Sequence, residues 1–180
     1  RDAYHAARSL GFDNINMDLI AGLPGETLAD MEDTLSQIKE LGPDSLTVHS
    51  LAVKRAARLN IFRDQYQEMT FENNQEIMNL TMKTAYEMGM GPYYLYRQKN
   101  MKGNFENVGY AKVDKAGIYN ILIMEEKQPI IALGAGGSSK LFFDHGQRIE
   151  RVENVKDVSN YISRIDEMIE RKRTAIATWL

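Results

Sequence analysis

The sequence predicts an α/β fold, a strand-helix-strand-helix-strand run over its first hundred residues followed by an antiparallel sheet and a closing helix. Three observations carry that expectation. Leu28, Met31, Leu35, Ile38 and Leu41 recur at helical spacing between two short apolar-rich runs, residues 15–20 and 45–50. A second helical stretch leads into Tyr93-Tyr-Leu-Tyr96. From Arg97 to Val152 the helical period disappears, and short strand candidates alternate with turn residues. The expected division is therefore residues 1–100 and 101–180.

Taken in order, Asp2 to Leu10 reads as a short helix stopped by Gly11, a residue suited to a left-handed cap. Residues 15–20 form a strand and Ala21-Gly-Leu-Pro-Gly-Glu26 a turn. Thr27 with Asp30 has the form of a capping box for the helix that Gly42-Pro43 ends. Residues 45–50 make the second strand, and a parallel right-handed crossover is strongly preferred for such a unit. Residues 52–69 carry charges without a clean period and read as a long connection, often a functional one. Asn73 with Glu76 offers a second capping box, and Ile77, Leu80, Thr84 and Met88 continue a helix to Gly89 and Gly91. Residues 92–96 are the third strand, expected parallel to the others. Residues 117–125, 130–133, 140–143 and 148–153 are strand candidates of an antiparallel sheet. From Asp157, the residues Val158, Tyr161, Ile162, Ile165, Met168 and Ile169 mark one amphipathic helix, with Arg171, Lys172 and Arg173 near its C-terminal end, where the dipole favours cations.

Composition narrows the function classes. A chain of 180 residues with 43% hydrophobic and 26% charged residues suits one core, or one core and a small extension. The net charge of −3 and the dispersed Lys and Arg argue against a nucleic-acid partner. No apolar run approaches the roughly 20 residues that cross a bilayer, and no leader pattern is present, so a cytoplasmic protein without a membrane partner is expected. The cysteine count is zero, which excludes a disulfide, a thiolate nucleophile and a cysteine-held cluster within this chain. His5, His49 and His145 are scattered, and no metal site is expected from them. The chain begins without Met inside a helix already under way, as an excised segment would.

Three stretches carry candidate chemistry. Strand period puts Asn16, Asp18 and Ile20 on one face and Ile15, Met17 and Leu19 on the other. A polar strand face in a βαβ unit looks toward water, a partner or a site; Asp18 is also a plain candidate for capping the following turn. Ala132-Leu-Gly-Ala-Gly-Gly-Ser-Ser-Lys140 permits close backbone approach to a ligand, or simply bends a sheet; it does not open a helix and so is no dinucleotide fingerprint. Tyr96 is followed by Gln98 and by three cations, Arg97, Lys99 and Lys102, that are either solvated or, beyond a strand end, partners for carboxylates.

Ile15-Asn-Met-Asp-Leu-Ile-Ala-Gly-Leu-Pro-Gly-Glu-Thr27 resembles the signature of the radical S-adenosylmethionine (SAM) family of oxygen-independent coproporphyrinogen III oxidases. Gly42-Pro43-Asp44, Leu46 and Val48 keep its spacing. Pro92-Tyr-Tyr-Leu-Tyr-Arg-Gln-Lys-Asn-Met101, Gly103-Asn104 and Glu106-Asn-Val-Gly-Tyr-Ala111 resemble its HemZ-type coproporphyrinogen dehydrogenase branch. The resemblance implies the C-terminal half of a partial (β/α) radical SAM barrel with an antiparallel extension. It implies SAM and a [4Fe-4S] cluster as cofactors, the cluster held by an N-terminal cysteine loop that this chain lacks, so that the chain alone is expected to be inactive. In the family, a 5′-deoxyadenosyl radical abstracts hydrogen from propionates, and decarboxylation leaves vinyl groups. Asp18 then corresponds to the acid that bonds the SAM ribose, with Ile20, Ala52 and Lys140 as further cofactor contacts, the family's residue type differing at Lys140. Tyr96, Arg97, Gln98, Lys99, Asn104 and Tyr110 become contacts for a tetrapyrrole substrate. A heme-binding chaperone of the same family is the alternative. The strand at residues 15–20, left as an edge, is expected to favour self-association.

Overall fold

A computed structural model describes residues 1–51, 73–96 and 105–179. Expectations placed on residues 52–72 and 97–104 lie outside that range. The chain forms two compact units, Arg1–Gly117 and Ile118–Leu180, where the sequence suggested a division between residues 100 and 101.

In the first unit α1 (Asp2–Ser9) precedes β1 (Asn16–Ala21), α2 (Leu28–Leu41) and β2 (Ser45–Ser50). Then come α3 (Gln75–Glu87), β3 (Gly91–Tyr96) and β4 (Asn107–Ala111). β1 and β2 pair in parallel, Asn16 opposite Ser45 through Ala21 opposite Ser50. The sheet order is β1-β2-β4-β3, with β4 antiparallel to both its neighbours. Thus the three expected strands share one direction, and β4, which the sequence did not offer as a strand, stands between β2 and β3. All five of its residues are buried, and Gly109 interrupts the apolar run, so it shows no alternation.

One face of this sheet makes the core. Leu19, Ala21, Leu46, Val48, Val108 and Tyr110 cluster with Met31, Leu35 and Ile38 of α2 and with Ile77, Met78 and Ala85 of α3. Both helices start on local chemistry. The Asp30 carboxylate accepts from the Thr27 N–H at 2.8 Å and from its hydroxyl at 2.7 Å, the expected box. The cap of α3 is Asn74 rather than Asn73; its side chain accepts the Ile77 N–H at 3.0 Å.

Asp44 ties the start of β1 to α1. Only 8% exposed, it accepts from the Ile15 N–H at 2.8 Å and pairs with Arg8 at 2.6 Å. Burial pushes its pKa up, but the Ile15 N–H, Arg8 and Lys112 outweigh burial and hold it below the usual carboxylate value. A carboxylate lowered in this way contributes stability that is present above its unfolded pKa, roughly 4, and is lost as the pH falls through the folded value. Asp44→Asn is therefore expected to lower the unfolding free energy by about 1–3 kcal/mol at pH 7 and much less at pH 3. Urea midpoints at the two pH values check this, and an equal loss at both would refute it.

In the second unit, α4 (Ile118–Met124) leads to β5 (Ser138–Phe143), a 3-10 turn at Asp144–Gly146 and β6 (Arg148–Glu153). α5 (Val158–Ser163) and α6 (Ile165–Trp179) close it. β5 and β6 form an antiparallel hairpin, Ser138 opposite Glu153 through Phe143 opposite Arg148. The strand expected at residues 117–125 is corrected to a helix. A seven-residue run apolar except for Asn120 has no period that separates strand from helix. The i→i−4 bond of Glu125 N–H to Ile121 at 2.9 Å carries it through its end, and a wider bond of Lys127 N–H to Leu122 at 3.0 Å, past the left-handed Glu126, closes it. Of the candidate at residues 130–133 only a bridge from Ile130 to Lys140 remains. The single closing helix is corrected to two, divided at Arg164, whose φ of −113° and ψ of 27° leave the helical region. Asp166 and Glu167 then occupy the first turn of α6, where negative charge is favoured.

Candidate functional site

The face of the first sheet opposite the core is polar. Along β1 the exposed residues are Asn16, Asp18 and Ile20, as the strand period predicts. Register sets Ser45, Thr47 and His49 of β2 beside them. Gly109 of β4 pairs with Thr47, and Tyr94 and Tyr96 of β3 fall opposite Gly109 and Asn107.

Hydrogen bonds knit this face together. The hydroxyls of Ser45 and Thr47 both donate to Asn16 Oδ1, at 3.0 and 3.3 Å. Asn16 Nδ2 donates to Asp18 Oδ1 at 2.7 Å. His49 Nε2 stands 3.7 Å from the same oxygen. The Asp18 side chain is 64% exposed, and among the described residues no donor reaches its Oδ2. The arrangement is that of an acceptor with one oxygen fixed by the protein and the other offered outward. Such a carboxylate can accept from hydroxyls of a bound diol.

Beyond β1 the chain turns through Gly22 and Gly25, with φ of +88° and +77°. Gly22 has a second reason to be glycine, since a Cβ there would stand 2.9 Å from Asn73 Cβ. Near this strand end, Asn73 Oδ1 and Nδ2 and Glu26 Oε2 are buried and, among the described residues, have no hydrogen-bond partner. Burial and the neighbouring Asp30 raise the Glu26 pKa, against a bond from the Leu23 backbone. Unpaired buried polar atoms in a native fold call for water, an ion or a ligand.

The sequence-derived candidates are distributed as follows. Asp18 and Ile20 share the site face, Ile20 being 41% exposed. Tyr96, also 41% exposed, ends β3 on that face. Tyr110 is 4% exposed on the core side, with its ring 6.5 Å from and nearly perpendicular to that of Tyr86, and burial raises its pKa. Lys140 belongs to β5 of the second unit, where it pairs with Glu126 and lies 5.2 Å from the Phe142 ring centre. Ala52, Arg97, Gln98, Lys99, Lys102 and Asn104 lie outside the described residues. Asn16, which strand period already placed on the face of Asp18, is joined there by Thr47, His49 and Tyr94, which the sequence did not single out. For Thr47 and His49 the signal was available, as they stand opposite Asp18 and Ile20 across a parallel pair. Among the described residues no group of three or more acidic, His or Cys side chains is placed to hold a metal, and no helix is long and apolar enough to cross a membrane.

No family model matches the chain. It is 42% identical to the oxygen-independent coproporphyrinogen-III oxidase-like protein HemZ of Bacillus subtilis over 95% of its own length and 34% of that protein. The oxygen-independent coproporphyrinogen III oxidase of Salmonella typhimurium is 23% identical over 89% of the chain and 34% of that protein. The heme chaperone HemW of Bacillus subtilis is 38% identical over 29% of the chain. Among solved structures, coproporphyrinogen III oxidase HemN of Escherichia coli, described as a radical SAM enzyme, matches with a TM-score of 0.63 and 20% identity, over 92% of the chain and 37% of that protein. That likeness shows the fold.

Proposed function

We propose, for a chain that belongs to the HemN/HemZ coproporphyrinogen oxidase family and spans about a third of the length of its HemZ relative, that its polar sheet face holds the ribose of SAM. The complete protein is then a radical SAM oxidoreductase acting on coproporphyrinogen III. The observation that carries this reading is Asp18, an exposed carboxylate with Oδ1 held by Asn16 and Oδ2 offered outward. A ribose diol supplies hydroxyl donors of the kind such an oxygen accepts, and Ile20, exposed on the same strand face, offers apolar surface beside it. Ala52 and Lys140 are further contacts proposed from the family motif. The residues present thus fit the sugar of SAM. They do not fit the cluster, because the chain contains no cysteine, so the cluster's thiolates come from outside it and the chain alone is inactive. When bound beside that cluster, SAM supplies the radical chemistry that turns propionate side chains into vinyl groups.

On the substrate side, a tetrapyrrole presents carboxylates around an apolar ring, which calls for cations at a rim and aromatic surface beneath. Tyr96 with Arg97, Gln98, Lys99, Lys102 and Asn104 carries that composition just beyond a strand end. Arg97 is the preferred carboxylate partner, since its planar fork fixes orientation where lysine gives a mobile point charge. In the complete protein Arg97→Lys is expected to lower kcat/KM for coproporphyrinogen III about tenfold although charge is kept. Wild-type kinetics in that variant would move the substrate site elsewhere. The similarity to a heme chaperone supports a second reading, a heme-binding protein of the same family. Anaerobic conversion of coproporphyrinogen III to vinyl products supports the oxidase; tight heme binding without product supports the chaperone.

A further inference from the structure

We propose that Tyr94 is a positioning residue for Asp18, acting across the sheet through Thr47 and Asn16, with Gly109 as the slot that admits its ring. The inference rests on the reading of Asp18 as a ribose acceptor.

Tyr94 starts at the wrong edge of the sheet for this task, since β3 and β1 are the two outer strands. Two features bring it across. A register shift lies between Pro92, opposite Tyr110, and Tyr94, opposite Gly109, so Tyr93 is an extra residue in β3. Without that bulge a period of two would turn Tyr94 to the core side. At Gly109 a Cβ would stand 2.0 Å from Tyr94 Cε1, 2.3 Å from Cδ1 and 3.0 Å from Tyr93 Cε1. The Tyr94 ring therefore lies directly on the backbone of β4. Gly109 is absent from the residues with positive φ, so space for the ring, not backbone conformation, demands glycine there.

Lying across β4, the Tyr94 phenol reaches Thr47 on β2 and feels the charge of Asp18 on β1. Thr47 is 2% exposed, as a residue roofed by a ring should be. Its hydroxyl donates to Asn16 Oδ1 at 3.3 Å and is also in hydrogen-bonding contact with the Tyr94 phenol. Asn16 in turn donates to Asp18 Oδ1. Thr47 thus links the Tyr94 phenol to Asn16, and Asn16 to the carboxylate, in one connected polar network. Burial raises the phenol's pKa, the hydrogen bond with Thr47 lowers it, and the charges of Tyr93 and Asp18 raise it further, for a net upward shift. The consequence for function is a pre-set Asp18, whose orientation need not be fixed when a ligand binds.

The test is calorimetric SAM binding by the complete, cluster-loaded protein, alongside its thermal unfolding. Tyr94→Phe keeps the ring in the Gly109 slot and deletes only the hydroxyl; Thr47→Val deletes the link at nearly constant shape. Each is expected to weaken SAM binding about 3- to 10-fold with an unchanged unfolding midpoint, and the double variant to be no weaker than either single one. A purely structural tyrosine would give the opposite pattern, a lowered midpoint with unchanged affinity, and that result overturns the proposal, as would fully additive losses. If Tyr94→Phe fails to fold, Thr47→Val alone decides in the same way. Asp18→Asn separates the two levels. If it weakens binding while Tyr94→Phe does not, the relay fails and the ribose reading stands; if Asp18→Asn itself leaves affinity unchanged, both fall.

Discussion

Leu46→Ala is expected to lower the unfolding free energy of the chain by about 3–4 kcal/mol, within the range measured for buried leucines. Leu46 is fully buried on β2, with β1 on one side and β4 on the other, so three strands close around its position. Its register partners Met17 and Tyr110 flank it on the core face. Truncation removes apolar area and leaves a cavity that a strand hydrogen-bonded on both edges cannot collapse by shifting. Ile20→Ala, on the opposite face and 41% exposed, is the matched control and should cost well under 1 kcal/mol. Urea unfolding of the two variants checks the pair. A larger loss at Ile20 than at Leu46 would mean that the faces of the sheet have been assigned the wrong way round.

Those faces were legible in the sequence because β1 alternates. Asn16, Asp18 and Ile20 separate from Met17, Leu19 and Ala21 by period alone, and the exposure of each follows it. The Thr27 and Asp30 box was equally local and equally legible. What stayed hidden depended on neighbours. β4 is buried on both faces between two strands, so its residues carry no alternation, and only pairing shows that it is a strand. α4 is an apolar heptapeptide whose type its own residues do not decide.

The same distinction runs through the site. Asp18 and Ile20 could be placed from strand parity, whereas Tyr94 could not, because one bulged residue reverses the parity of everything after it. Tyr110 shows the converse. Quoted with a motif, it looked like a ligand contact, yet it stands on the core side of a strand that had not been foreseen. Gly109, one residue before it, has the clearest steric purpose of the strand's residues, and a glycine in a sequence does not say what lies above it.

Asp18→Asn in the complete protein is expected to weaken SAM binding by about 1–3 kcal/mol, or roughly 5- to 150-fold. The size follows from what the substitution keeps and removes. Asparagine preserves volume and one acceptor oxygen, so the fold of β1, whose core side is Met17, Leu19 and Ala21, should be untouched. What is lost is the charge on the acceptor, and hydrogen bonds to an ionised oxygen are about twice as strong as neutral ones. There is also a conflict of donors, because Asn16 Nδ2 already donates to Oδ1 at 2.7 Å. An asparagine that keeps its carbonyl toward Asn16 must turn its amide outward and present a donor where ribose needs an acceptor; flipped, it sets two amide groups against each other. Either orientation loses a bond that aspartate makes. Asp18→Glu gives the complementary control, since it restores the charge but displaces it by one methylene, and binding should recover only in part. Isothermal titration with SAM, with unfolding midpoints recorded alongside, measures these effects. Wild-type affinity in Asp18→Asn at an unchanged midpoint would return Asp18 to the role of a solvated strand residue and detach the polar face from the cofactor.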